Sequence, residues 1–180
     1  MIPPGLENVE QQLLIWMLAM IRPGAAFIAA PMFGANAVPI QLRLVLALAV
    51  GIPSAAAVNM ALVSISPALI PPPAGVDVTN TESLSLGIDL FEPKHFIMPF
   101  LAHALGTLAG ALVAYLIAAS HKNRFAYVIG VFFLCGGLAA SFMIPAPTWF
   151  IALDLIVAYL PMAWLSIMLA QRIQPEKTDW

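Results

Sequence analysis

Residues 125–144 read FAYVIGVFFLCGGLAASFMI, twenty positions without a single charge. At about 1.5 Å of rise per residue, a helix of that length covers the roughly 30 Å hydrocarbon core of a bilayer. Working outward, four further apolar runs follow the same rule: about 11–36, 40–69, 95–120 and 147–171. The expected fold is therefore all-α, a polytopic transmembrane bundle of five helices in a single membrane domain over 1–180. A four-helix version stands as the alternative, because Arg22-Pro23 interrupts the first run and would suit an interfacial or re-entrant segment.

The composition excludes most other classes. Of the 180 residues, 62% are hydrophobic and 9% charged, against roughly 45–50% and 25% in soluble domains. A formal net charge of -2, with seven Lys+Arg against nine Asp+Glu, leaves no basic patch for nucleic acid. Disorder requires low hydrophobicity, which is the opposite of what is present. The N-terminal residues do not read as a signal peptide, since Glu7 and Glu10 replace the basic leading region.

Charge placement sets the expected orientation. Arg43, Lys122 with Arg124, and Arg172 with Lys177 fall on one side of a five-span chain. The other side holds the 70–94 loop, with Asp77, Glu82, Asp89 and Glu92 against Lys94, and the uncharged stretch 145–148. The positive-inside rule then predicts N-out and C-in. The 70–94 loop opens with a stiff proline run, IPPPAGVDVTN, and continues into a short apolar set ending near Glu92-Pro93. A small amphipathic helix, capped by Thr81 or Ser83 and covering the bundle or lying on the membrane, is expected there. Partner binding by this loop is the sharper alternative.

Pro23, Pro31, Pro53, Pro99 and Pro161 lie inside apolar runs, where proline removes a donor and kinks a helix. Bent packing helices are the simpler reading and a broken-helix substrate site the sharper one. Gly106 and Gly110 form a small-xxx-small face suited to close helix packing, within the bundle or between two copies of the chain.

Ionisable groups at membrane depth mark candidate sites. Counted from the predicted helix ends, His103, Asp154 and Asn59 lie about 12, 10 and 15 Å below the same surface. They are the candidate intramembrane polar site, with His103 facing Asp154 and Asn59 nearby. A buried hydrogen bond fixing helix register is one role for it, and proton or solute handling the other. No metal or other cofactor is expected. His95 and His103 are about 12 Å apart along one helix, His121 lies at the opposite end, and Cys135 stands alone within an apolar run. No nucleophile–base set suggests an enzyme.

Two stretches resemble known families. VNMALVSISPALIPPPAGVDVTN at 58–80, LFEPKHFIMPFLAHALGTLAGALVA at 90–114 and PAPTWFIALDLIVAYLPMAWL at 145–165 resemble an uncharacterised family of small bacterial multi-pass membrane proteins. That likeness, over about 48–172, implies a bacterial inner-membrane location and no assigned activity. MIRPGAAFIAAPMFGANAVPIQLRLVLALAVGIP at 20–53 is similar to the N-terminal region of the FliR family of flagellar type III export-gate subunits. Arg22, Pro31, Pro39 and Arg43 stand where that family's motif would place them, and the family's later helices are missing. The chain thus divides into a FliR-like segment, 1–53, and a second membrane segment, 54–180. Three roles follow: a non-enzymatic component that packs with itself or with a membrane partner, a small permease or proton-coupled carrier using His103 and Asp154, or a flagellar export accessory.

Overall fold

The computed structural model describes residues 40–144 and 146–175. The expected first span at 11–36, with Arg22, Pro23, Pro31 and Pro39, lies outside the described residues, as does Lys177. The described chain is helical: α1 (Ile40–Leu69), α2 (Thr81–Gly87), α3 (Ile97–Ile117), α4 (Lys122–Met143), α5 (Thr148–Val157) and α6 (Leu160–Ile173), with 3-10 turns at Ile88–Leu90 and Pro93–Phe96. Counting α5 and α6 as one unit, four stretches among the described residues are long and apolar enough to cross a membrane. That is the helix pattern of a multi-pass membrane protein.

The packing is inside out relative to a soluble bundle. The buried positions are largely Ala and Gly with a few aromatics, among them Ala47, Ala55, Ala102, Ala111 and Ala114. Large apolar side chains such as Val45, Phe132, Phe142, Met143 and Ile156 are exposed. This suits a lipid surround, where tails replace water at the outer face and helices gain most from close backbone approach.

The tightest such approach joins α1 to α3, which run antiparallel. A methyl group added to Gly110 would lie 2.6 Å from the Gly51 carbonyl oxygen, and one on Gly106 would lie 2.9 Å from the Ala55 oxygen. A methyl on Gly51 would in turn meet Ala114 Cβ at 3.0 Å. The Gly106–Gly110 face is therefore filled by α1 of the same chain.

Two ends of the bundle are recognisable. At one, Phe96 packs edge-on against Trp149 at 5.5 Å and tilted against Phe150 at 4.8 Å, with Phe91 at 6.0 Å. Aromatic clustering of this kind is common at a membrane–water boundary. At the other end, Lys122 Nζ donates to Gln174 Oε1 at 2.9 Å and lies 5.5 Å over the Tyr115 ring.

The aromatic end carries the connection between α1 and α3. Asn80, rather than Thr81 or Ser83, caps α2: its Oδ1 accepts from the Glu82 and Ser83 amides at 2.9 and 3.0 Å. An extended residue preceding the first turn is the one whose side chain can reach back to those amides. Ser83 Oγ instead accepts from the Asp77 amide at 2.9 Å, and Gly75, at φ 84, supplies the left-handed turn after the prolines. The Thr79 hydroxyl, then its amide, hold the Asp77 carboxyl below the usual carboxylate value. That contribution is present above the unfolded value and is lost only as pH falls through the lowered one.

The last span is broken. α5 stops at Val157 and α6 starts at Leu160, with Ala158 and Tyr159 as a turn between them. Pro161 explains the position, since it lacks an N–H and its ring collides with the carbonyl four residues back, that of Val157. The break lies about 15 Å from the start of α5, near the depth of a bilayer midplane. Pro53 and Pro67 are accommodated within α1 without ending it.

Candidate intramembrane polar site

His103 and Asp154 are each six residues into their helices, α3 and α5, and so about 9 Å below the aromatic end. The helices hold them face to face. His103 Nδ1 lies 2.9 Å from both Asp154 oxygens. Tyr159 completes the group by donating its hydroxyl to Asp154 Oδ2 at 2.8 Å, and its ring stacks beside the imidazole with centroids 5.9 Å apart.

Tyr159 was not among the residues singled out from sequence. In an unbroken helix, side chains five apart point about 140° away from each other. The turn at Ala158–Tyr159 removes that obstacle and swings the phenol back onto Asp154. Gly137 of α4 then provides the room: a Cβ there would sit 2.6 Å from Tyr159 Cζ. Pro161 two residues on was the available signal, had the break been assumed to lie between Asp154 and the tyrosine.

Exposure is divided unequally across the pair. The His103 side chain is 30% exposed and that of Asp154 only 7%. Both carboxylate oxygens are turned inward onto Nδ1 and the phenol. A carboxylate only accepts, so Nδ1 carries the hydrogen, and the neutral ring presents a bare Nε2. No partner for Nε2 is present among the described residues.

Asn59 does not join this network. It is half-buried on α1 and packs against Gly106, one turn along α3 from His103, without a hydrogen bond to the pair. Another polar group lies closer in register. Thr107, fully buried one turn below His103 on α3, has an Oγ1 with no hydrogen-bond partner among the described residues.

Above the pair is a cavity of about 320 Å³ that reaches the aromatic end. α1 contributes Val63, Ser66 and Pro67, the cap contributes Leu84, Ile88 and Phe91, and α4 contributes Gly137, Ala140 and Ser141. His95 lines its upper part and His103 and Asp154 its base. The Pro93–Phe96 turn fixes His95, whose Nδ1 accepts from the Glu92 amide at 2.9 Å. Among the described residues no three His, Cys, Asp or Glu side chains converge as metal ligands would. Cys135 is exposed on α4, away from the cavity lining. Comparison with protein-family models, with characterised proteins and with solved structures returned no match.

Proposed function

We propose that this protein is a small carrier that admits an organic solute to the cavity and couples its movement to a proton held at His103. One observation carries the reading: a partly exposed imidazole forms the base of an apolar cavity while a buried carboxylate grips its inner nitrogen. Such a dyad accepts a proton at the outer nitrogen, and the carboxylate balances the charge that results. A helix broken near the midplane, next to the ionisable group, is an arrangement that transporters use to build sites. A pure packing role gains no support from Gly106 and Gly110, whose face α1 covers.

The carrier belongs, on this reading, in the bacterial inner membrane with the aromatic end and the 70–94 loop outside, as the basic residues at the opposite end favour. Proteoliposomes containing a pH-reporting dye test it. Under an inward proton gradient, a panel of small organic solutes should include at least one that moves luminal pH with the wild-type protein and not with Asp154→Asn. In the same vesicles, in a Cys135→Ser background, Ser141→Cys should react with a membrane-impermeant maleimide added from the loop side. A silent panel together with an unreactive Ser141→Cys would end the proposal.

The FliR-like residues 1–53 favour a second reading, an accessory of a flagellar export gate. Co-purification with gate subunits, lost on deleting residues 1–39, is its expected signature.

A further inference from the structure

We infer that the solute is a lipophilic weak acid, a carboxylic acid or phenol on an apolar body, which enters protonated and hands its proton to His103 Nε2. The inference rests on the carrier reading and names its substrate class.

The argument is one of complementarity. The cavity walls are built chiefly from Val, Ile, Leu, Pro and Phe, so the body of the guest must be apolar. The ionisable groups bordering the space are His95, His103 and Asp154. Asp154 is the sole acid among them, and its oxygens already accept from His103 Nδ1 and Tyr159. A cationic guest would thus find the negative charge covered by two donors. His95 has its Nδ1 engaged with the Glu92 backbone. With Nδ1 accepting from the Glu92 amide, His95 can offer a guest only an Nε2–H donor, so among these ionisable groups the acceptor left to meet the polar end of a guest is His103 Nε2, bare in the neutral ring and a donor in the protonated one.

A weak acid fits both forms. Its O–H donates to the bare nitrogen. If the proton crosses, the O–H bond breaks and the N–H bond forms. The guest becomes an anion accepting from the imidazolium, and Asp154 balances the new positive charge. Net charge in the site is -1 before and after, so nothing further need enter or leave. An amide can donate but cannot complete the transfer, and an amine places its charge on the wrong partner.

Three probes with one body separate these cases: 4-butylbenzoic acid, 4-butylbenzamide and 4-butylbenzylamine. Each is titrated at mildly acidic pH into the full chain in phosphatidylcholine nanodiscs, with His103→Gln nanodiscs subtracting partition into lipid. The acid should bind the wild type at least about tenfold more tightly than the amide, about 1.4 kcal/mol. It should also move the ¹⁵N resonance of His103 Nε2 from the unprotonated to the protonated range. Equal binding of acid and amide, or tightest binding of the amine, overturns the acid assignment while leaving the cavity a ligand site. If no probe distinguishes wild type from His103→Gln, the carrier reading falls together with the inference. Ser141→Trp, which fills the cavity from α4 without touching the pair, guards against a misfolded His103→Gln. It should abolish binding of the acid, and retained binding would place the probe elsewhere and overturn the assignment.

Discussion

At the scale of single residues, Asp154 is the pivot, because the His103 imidazole and the Tyr159 hydroxyl both converge on its carboxylate. Tyr159→Phe removes one charge-assisted hydrogen bond and leaves the ring in place. The expected destabilisation is about 1–2 kcal/mol in detergent-solubilised protein, read from thermal or denaturant unfolding. In an Asp154→Asn background the same change should have a smaller effect, since the bond it deletes is already weakened. Gly137→Ala should act on the same group from the other side by driving the phenol off Asp154, with a loss of about 1–3 kcal/mol from overpacking. Thr107 makes the opposite case. Its hydroxyl is buried without a partner, so Thr107→Val should raise stability by about 1 kcal/mol. A clear loss instead would reveal a bound water serving that hydroxyl.

At the scale of helices, two contacts decide the architecture. The α1–α3 seam depends on the absence of side chains, and Gly110→Ala would press a methyl against Ala55 Cβ and the Gly51 carbonyl. The expected loss is about 1–3 kcal/mol, measurable as a lower unfolding midpoint in detergent. Pro161 governs the second contact. Pro161→Ala permits α5 and α6 to join, which would carry Tyr159 away from Asp154. Hydrogen exchange should then slow at Ala158–Pro161→Ala, and the stability effect of Tyr159→Phe should vanish in that background. Sequence reading placed a proline effect in this segment and left two outcomes open, a bend or a break. The structure has a break, and the polar site is built on it.

At the scale of the whole molecule, the described helices cross back and forth with the 70–94 loop at one end and both Lys122 and Arg172 at the other. An impermeant label applied from one face of the membrane should therefore reach a cysteine placed at Asp89 or one placed at Lys122 but not both, in a Cys135→Ser background. Labelling of both from one face would refute the crossing pattern.

What was legible in the sequence follows from scale as well. The membrane class and the helices at 40–69, 95–120, 125–144 and 147–171 were readable because bilayer thickness demands long uncharged runs, a constraint local to each segment. The common depth of His103 and Asp154 was also readable, since helical rise converts position into height. Their facing one another was expected from that common depth and is present in the structure, but depth does not dictate rotation about a helix axis. That rotation is decided by which small residues let α3 meet α1, and by where Pro161 breaks the last span. The same rotation puts Asn59 against Gly106 instead of in the network, brings in Tyr159, and opens the cavity above His103. Sequence by itself determined that this chain forms helices long and apolar enough to cross a membrane and at what level along them its ionisable groups sit. Tertiary structure alone decided which of them touch, because contact between helices is a property of packed surfaces that no single segment contains.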